Sequence, residues 1–138
     1  MAMKLSGKSI LIIDDDAALL RAMSKLLTGE GADVAGASWA GEAIDHLTAG
    51  LRRFDLIITD LRMPILDGET ILGAVSVAMP HAKVIVVTAF GTPEVEEACL
   101  RRGAAAFLEK PVDAARLLAA VQEAFAGGRP ARAGGGRA

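Results

Sequence analysis

Residues 10–16 read Ile-Leu-Ile-Ile-Asp-Asp-Asp, and residues 56–60 have a similar order, Leu-Ile-Ile-Thr-Asp. Both segments are short, nearly continuous apolar runs that end in a carboxylate. Such runs are typical of strands buried on both faces of a parallel sheet. Three further segments have strand character, and the weakest, Ala32–Ala37, is predicted to be an edge strand. The predicted strands are Ser9–Ile13, Ala32–Ala37, Asp55–Thr59, Val84–Thr88 and Ala105–Leu108.

Helical segments separate the strands, and polar residues mark where the helices begin. A side-chain oxygen at such a position can accept a hydrogen bond from the free amides of the first helical turn. The second helix is predicted over residues 38–50, with Ala43, Ile44 and Leu47 facing the core. Strict alternation of five strands and five helices predicts a parallel sheet covered on both faces, since each parallel connection needs a crossover. The predicted N-caps are Asp16, Asp67, Thr92 and Asp113.

The length and composition of the chain favour one domain without disulfides. The chain has 138 residues, which fits a single domain, and its only cysteine cannot form an intramolecular disulfide. The formal net charge of −2 does not indicate a nucleic-acid-binding surface. No apolar run approaches the roughly 18–20 residues that a membrane-spanning helix needs. We expect a cytoplasmic protein, with a domain over residues 1–126 and a flexible Gly- and Arg-rich tail or truncated linker over residues 127–138.

The residues directly after the strands are the candidates for ligand binding and catalysis. The carboxyl ends of parallel strands meet at one edge of a sheet, where such folds bind ligands. Several carboxylates there would repel each other unless a cation lay between them, and oxygen ligands without His or Cys favour Mg²⁺. A cation, a carboxylate, a hydroxyl and a lysine are the groups that phosphoryl transfer needs, and Asp60 is the candidate nucleophile. The residues placed at this edge are Asp14, Asp15, Asp16, Asp60, Thr88, Glu109 and Lys110.

Four motifs together resemble the receiver domain of bacterial two-component response regulators. They are Ile-Leu-Ile-Ile-Asp-Asp-Asp (10–16), Phe-Asp-Leu-Ile-Ile-Thr-Asp-Leu-Arg-Met-Pro-Ile-Leu-Asp-Gly (54–68), Val-Ile-Val-Val-Thr-Ala (84–89) and Phe-Leu-Glu-Lys-Pro (107–111). The resemblance covers about residues 8–126. It implies a flavodoxin-like receiver fold, in which five helices flank a doubly wound, five-stranded parallel sheet of order 2-1-3-4-5.

The resemblance also implies which residues hold the phosphoryl group and the metal. Asp60 matches the phosphoacceptor of the family. Asp15, Asp60 and the backbone carbonyl of Arg62 match the direct Mg²⁺ ligands. Asp14 matches the carboxylate that usually acts through a metal-bound water.

Four other positions match the residues that sense the phosphoryl group. Thr88 and Lys110 match the pair that contacts the phosphoryl oxygens, and Ala89 matches the small residue that leaves the path of the phosphoryl group open. Phe107 matches the aromatic switch position, where Tyr is the commoner alternative. Because Phe has no hydroxyl, switching at this position would rest on ring packing alone. The peptide bond between Lys110 and Pro111 tends to be cis in the family, although a sequence does not determine the isomer.

The mechanism implied by the resemblance is a two-state switch in a phosphorelay. A sensor histidine kinase or a phosphotransfer protein supplies the phosphoryl group to Asp60, Thr88 moves towards it, and Phe107 follows. This movement changes the surface of the fourth helix, fifth strand and fifth helix, which would contact an output domain or a downstream protein, or form a homodimer. The domain would promote only its own phosphorylation and dephosphorylation, without direct contact with nucleic acid or membrane.

Two alternative functions compete with this interpretation. The strand followed by Asp14-Asp15-Asp16 also fits a haloacid-dehalogenase-like phosphohydrolase, in which Asp14 would be the nucleophile. That enzyme would need an acidic pair after Lys110, which is absent, and would leave residues 54–68 without a role. The other alternative is a receiver-like binding module that signals without phosphorylation. Such modules usually lack one of the acidic residues, the Thr or the Lys, and all of them are present in this chain.

Overall fold

Five parallel strands form one sheet with helices on both of its faces. The computed structural model describes residues 3–49, 52–63 and 66–127. The strands are β1 (Ser9–Ile13), β2 (Asp33–Ala37), β3 (Leu56–Thr59), β4 (Lys83–Thr88) and β5 (Ala106–Glu109). Their spatial order is β2-β1-β3-β4-β5, and every neighbouring pair is parallel. This order confirms the predicted doubly wound fold and places β2 at an edge.

A helix follows each strand of the sheet, and three predicted N-caps are confirmed. The Asp16 side chain accepts a hydrogen bond from the Leu19 amide at 3.1 Å, and Thr92 and Asp113 cap their helices in the same way. The Asp67 side chain lies outside the described part of the structure. The helices are α1 (Ala17–Gly29), α2 (Ala40–Thr48), α3 (Gly68–Ala78), α4 (Pro93–Arg101) and α5 (Ala114–Ala126).

The central strands are apolar on both faces because two separate cores lie against the sheet. Leu11 and Ile13 of β1 pack in the core that contains residues of α2, α3 and α4. Ile10 and Ile12, which point to the opposite face, pack in the core that contains residues of α1 and α5. All four side chains are completely buried. Burial on both faces is the physical reason why these strands read as continuous apolar runs.

The predicted inward orientation of Ile44 in α2 is wrong. Ala43 and Leu47 are buried as predicted, and Ala40 joins them, but Ile44 is 47 % exposed. The helix begins at Ala40 and ends at Thr48, which is shorter at both ends than the predicted segment. Ala40, Ala43 and Leu47 form the stripe of this helix that packs in the core, and Ile44 lies at the margin of that stripe.

The strand bounds differ from the prediction by one residue in several places. The last strand begins at Ala106 and includes Glu109, because Glu109 pairs with Thr88 in the ladder between β4 and β5. An exposed charged residue can end such a strand, which an apolar pattern does not predict. A short antiparallel pair, Arg62–Met63 with Leu66–Asp67, follows β3 and was not predicted.

The description of the chain ends at Gly127, so the predicted tail beyond it lies outside the described residues. Gly127 has a positive φ of 74° and terminates α5, a conformation that glycine adopts without strain. Within the described ranges, no helix combines the length and the apolar character needed to cross a bilayer.

The fold predicts that two isoleucines differ strongly in their contribution to stability. Ile57 of β3 is completely buried, so Ile57→Ala should lower the free energy of unfolding by about 2–5 kcal/mol. Ile44→Ala removes the same atoms from an exposed position and should change it by no more than about 0.5 kcal/mol. Urea unfolding followed by circular dichroism measures both. A comparable loss in the two variants would contradict the orientation of α2.

Candidate functional site

Backbone hydrogen bonds hold the first residues after the strands in line at one edge of the sheet. The Asp14 amide donates to the Ala37 carbonyl at 3.0 Å, and the Asp60 amide donates to the Ile13 carbonyl at 3.0 Å. These bonds extend the ladders of the central strands by one residue. Adjacent strands lie about 4.8 Å apart, so residues at these positions are close neighbours. The sheet itself therefore sets the spacing of the two carboxylates.

Three aspartates form a cluster at this edge. One carboxylate oxygen from each of Asp14, Asp15 and Asp60 lies within 4.8 Å of the others. Asp14 and Asp60 are buried, whereas Asp15 is exposed. Asp16 is outside the cluster because its carboxylate caps α1, which is what its position before the helix predicted. Glu109, also placed at this edge by the sequence, has an exposed side chain and is outside the cluster.

Lys110 reaches into the cluster from the end of β5. Its Nζ lies 2.7 Å from Asp60 Oδ2 and 2.8 Å from Asp14 Oδ2, and its side chain is 17 % exposed. The Lys110 amide donates to the Thr88 carbonyl at 2.9 Å, which fixes the start of this side chain beside β4. Burial lowers the pKa of Lys110, but its contacts with Asp14 and Asp60 outweigh burial and raise it. Lys110 is therefore a cation. The peptide bond between Lys110 and Pro111 is cis.

One lysine does not balance the negative charge of the cluster. Burial raises the pKa of Asp14, and the contact with Lys110 opposes this only in part. Asp14 Oδ1 accepts a hydrogen bond from the Asp16 amide at 2.9 Å. Asp14 Oδ2 is buried and close to the ammonium, yet no donor among the described residues is aligned to form a hydrogen bond with it. A buried carboxylate oxygen with unused acceptor capacity fits a site that binds a further cation.

The other predicted site residues lie on β4, on β5 and in the loop after β4. Thr88 is fully buried, and its hydroxyl oxygen accepts a hydrogen bond from the Phe90 amide at 3.1 Å. Ala89 is exposed, so no large side chain covers this position. Phe107 is fully buried, and its ring lies directly below Gly91. The structure therefore brings the predicted residues to one end of the sheet, with the aromatic ring inside the protein.

A contact between two loops at this edge was not predicted. The Arg62 guanidinium stacks over the ring of Phe90, with its carbon 4.5 Å from the ring centroid. The Arg62 amide also donates a hydrogen bond to Asp60 Oδ1 at 3.2 Å. The family resemblance assigns a role only to the backbone carbonyl of Arg62. A contact between residues from two separate segments produces no periodic pattern in the sequence. Only the position of Phe90, an aromatic residue shortly after a strand, could have indicated it.

Comparison with protein families gives one matching description. The family model for the response regulator receiver domain matches residues 10–122 of the chain. This range begins at the second residue of β1 and ends within α5, so it includes the other four strands of the sheet completely and every residue of the cluster.

Curated relatives agree with this match. The chain is 34% identical over 122 residues to the transcriptional regulatory protein GlrR of Escherichia coli (strain K12), covering 88% of this chain and 27% of that protein. It is 30% identical over 110 residues to the chemotaxis protein CheY of Treponema pallidum, covering 79% of this chain and 76% of that protein. The chain therefore spans about a quarter of the length of the transcriptional regulator and most of the length of the chemotaxis protein.

Solved structures share the fold over most of the chain. A receiver domain protein from Clostridium thermocellum has a TM-score of 0.78 and 34% identity, covering 86% of this chain and 94% of that one. The CheX–CheY complex with beryllofluoride and magnesium from Borrelia burgdorferi has a TM-score of 0.80 and 29% identity, covering 87% and 90%. The beryllofluoride-activated NtrC4 receiver domain dimer has a TM-score of 0.78 and 28% identity, covering 86% and 97%.

The raised pKa of Asp14 predicts that replacing this carboxylate by a neutral amide stabilises the protein. Because the pKa of Asp14 is raised in the folded protein, its ionised form costs stability at pH values above that pKa, and the cost disappears as the pH falls. In metal-free protein at pH 7, Asp14→Asn should therefore raise the free energy of unfolding. Urea titrations with a chelator should show the difference shrinking as the pH is lowered. The exposed surface substitution Asp45→Asn serves as the control, and a destabilised Asp14→Asn protein at pH 7 would refute the prediction.

Proposed function

The chain belongs to the response regulator receiver domains, and we propose that Asp60 is the residue on which it accepts a phosphoryl group. The observation that carries this proposal is the position of Asp60, buried within the acidic cluster with Lys110 Nζ 2.7 Å from one of its oxygens. A carboxylate held beside a lysine and a second cation site can attack phosphorus while the charge of the phosphoryl group is compensated.

Mg²⁺ is the proposed cofactor of this site. Asp15, Asp60 and the backbone carbonyl of Arg62 would hold the ion directly, and Asp14 would act through a water molecule. The clustered carboxylates and the unused acceptor oxygen of Asp14 support this assignment. Bound Mg²⁺ would neutralise charge on the phosphoryl oxygens and relieve the repulsion between the aspartates. Oxygen-only ligands in a small site favour Mg²⁺ over softer metals.

The proposed reaction moves a phosphoryl group from histidine to aspartate. An Asp60 oxygen forms the new O–P bond while the P–N bond of a phosphohistidine breaks, and the imidazole retains the electron pair and takes up a proton. Lys110, which lies beside Asp60, would compensate charge on the phosphoryl oxygens. The Thr88 hydroxyl would donate to one of these oxygens, and Ala89 leaves space for the group. The same residues would promote hydrolysis of the acyl phosphate, so the domain would act only on itself.

Family membership argues against the phosphohydrolase, and the set of site residues argues against the module that is never phosphorylated. The family match covers the motifs at residues 54–68 that a phosphohydrolase using Asp14 would leave without a role. A receiver-like module that is never phosphorylated would not need the complete set of acidic, hydroxyl and lysine residues that this chain retains.

The partners follow from the proposed transfer. A sensor histidine kinase or a phosphotransfer protein in the cytoplasm would supply the phosphoryl group. Residues 1–126 would be the receiver, and residues 127–138 a tail or a linker to an output domain. The surface formed by α4, β5 and α5 would contact an output domain or downstream protein, or pair with a second copy, as the NtrC4 relative forms a dimer. The net charge of −2 does not indicate a surface that binds nucleic acid directly.

Magnesium binding predicts a stability change that depends on the cluster. Mg²⁺ at 100 times its dissociation constant should raise the free energy of unfolding of the wild-type protein by about 2.7 kcal/mol. Asp15→Asn should lose most of this increase, because it removes a proposed ligand. Asp16→Asn is the matched control, since the neighbouring residue is outside the cluster and Asn also caps helices well. Urea unfolding at constant ionic strength measures the effect, and an equal response of both variants would contradict the proposed ligands.

Phosphorylation predicts a mass change that depends on Asp60. Wild-type protein incubated with acetyl phosphate and Mg²⁺ should gain one phosphoryl group by intact-mass spectrometry, and Asp60→Asn should gain none. Asp45→Asn, at an exposed position of α2, should behave as wild type. Borohydride trapping and peptide mapping then locate the modified carboxyl group. A label on Asp14 would support the phosphohydrolase instead, and modification of Asp60→Asn to the wild-type level would sink the proposal.

A further inference from the structure

The outer edge of β2 carries backbone groups that the sheet does not use. Asp33 turns its backbone groups towards β1, because its amide donates to the carbonyl of Lys8, directly before β1, at 2.8 Å. Backbone groups alternate in direction along a strand, so the amides and carbonyls of Val34 and Gly36 point away from β1. Within the part of the chain that the structure describes, no group forms a hydrogen bond with them.

The two edges of the sheet differ in how far they are covered. β5 forms the other edge, and its first three residues are no more than 1 % exposed, so a further strand cannot reach their backbone. The three central residues of β2, Val34, Ala35 and Gly36, are only half-buried. An accessible strand edge is a surface on which another strand can add by backbone hydrogen bonds. β2 is therefore the edge that can be extended.

β2 also lacks the features that usually prevent strands from pairing at an edge. Its five residues include neither proline nor lysine, and its register with β1 is continuous, without a bulge. Its one charged residue is Asp33, at the first position, and Arg52 Nη2 lies 2.9 Å from that carboxylate. The side chains that follow along the strand are small. Neither charge nor bulk keeps a second strand away from the centre of β2.

A second copy of the chain is complementary to this edge in one register. In an antiparallel pair centred on Ala35, Val34 of each copy lies opposite Gly36 of the other. These are the residues whose amides and carbonyls point outwards, so each such pair can exchange two hydrogen bonds. Two pairs, each with two bonds, give four hydrogen bonds between the copies. Ala35 of one copy lies opposite Ala35 of the other, on a two-fold axis.

The ladder between the copies cannot extend much further. The next outward amide before the strand is that of Ala32, which donates to the Leu27 carbonyl at 3.1 Å. The next one after the strand is that of Ser38, which donates to Glu42 Oε1 at 3.0 Å. Both donors are already used. The interface is therefore small, which predicts a weak dimer that forms at high protein concentration.

The same register brings exposed apolar residues together at each end of the pair. Trp39 of one copy falls opposite Gly31 of the other, because both positions are equally far from Ala35. The Met3 side chain lies against Gly31. Trp39 is 60 % exposed and Met3 is 55 % exposed, so both leave apolar surface in water in the single copy. Contact between a thioether and an aromatic ring is favourable, and pairing would remove this surface from water.

We infer that the outer edge of β2 is an interface between two copies of this chain, paired antiparallel with Ala35 on the two-fold axis. The two five-stranded sheets then form one continuous sheet. β5 lies at the far edge of each copy, so the surface formed by α4, β5 and α5 stays accessible in this dimer. The acidic clusters of the two copies lie at opposite ends of the joined sheet, because the two β2 strands are antiparallel.

Amide hydrogen exchange tests the register on the wild-type chain without any substitution. In NMR spectra recorded from micromolar to millimolar protein, the amides of Val34 and Gly36 should exchange more slowly as the concentration rises. The slowing should be roughly ten-fold when free copies are at about nine times the dissociation constant. The amides of Asp33 and Ala35 bond towards β1 and should change by a smaller factor. Rates for Val34 and Gly36 that do not depend on concentration would overturn the inference.

Charge substitutions at the axis test the two-fold arrangement. Ala35→Lys and Ala35→Glu each place two like charges directly opposite one another, which opposes pairing. In sedimentation equilibrium, the wild-type mass should rise from 14.2 kDa towards twice that value, and each variant alone should stay at the mass of one chain. An equimolar mixture of the two variants should regain the rise, since opposite charges then meet. Val77→Lys and Val77→Glu, at an exposed position of α3, are the matched controls and should behave as wild type.

Three sedimentation results would contradict the inference. They are a wild-type chain that keeps the mass of one copy at millimolar concentration, a dimer that Ala35→Lys does not weaken, and a mixture of the Ala35 variants that stays monomeric although both are folded by circular dichroism. A dimer through α4, β5 and α5 would give the second result, because β5 lies at the other edge of the sheet. If a variant does not fold, the exchange rates of Val34 and Gly36 in the wild-type chain decide. No phosphoryl donor is used, so these outcomes leave the proposed role of Asp60 untouched.

Discussion

The ion pairs of Lys110 with Asp14 and Asp60 are the interaction on which the site depends. Two like charges about 4 Å apart repel by on the order of 4 kcal/mol near a protein surface, and three carboxylates here lie within 4.8 Å of one another. A single ammonium, 2.7 and 2.8 Å from two of them, compensates part of this repulsion. Burial raises the pKa of Asp14, and the neighbouring charge of Asp60 adds to this increase. The folded protein thus retains an uncompensated negative site that a metal cation can stabilise.

The sheet makes this unfavourable arrangement possible. Apolar strands buried on both faces hold the backbone rigidly, and their hydrogen bonds continue to Asp14 and Asp60. The stability of two cores therefore offsets the cost of the clustered charges. Function at such a site needs fixed positions more than flexible ones, since phosphoryl transfer is accelerated mainly by positioning and charge compensation. The segments that follow β3 and β4 add an exposed contact beside the site, that of Arg62 with Phe90.

Agreement between sequence and structure was best where a local pattern has one physical cause. Asp16 has the position of an N-cap and serves as one, and the buried strands show their apolar runs because both faces are covered. The predictions failed where the burial or the contact of a side chain depends on other elements of the fold. Ile44 fits the helical period of a buried face, yet it lies at the margin of α2 and is exposed. The contact between Arg62 and Phe90 joins two loops and leaves no periodic trace in the sequence.

The sequence by itself determined the elements and the chemical groups at their ends. Strand periodicity, helix capping and the order of carboxylate, hydroxyl and lysine are local properties, because each depends on residues within one or two turns of chain. Only the tertiary structure decided which groups meet. Lys110 bonds to Asp60 across 50 positions of sequence, Asp60 joins the cluster of Asp14 and Asp15, and Phe107 is held below Gly91. These contacts depend on the spacing of neighbouring strands and on the packing between distant segments, and no local pattern contains that information.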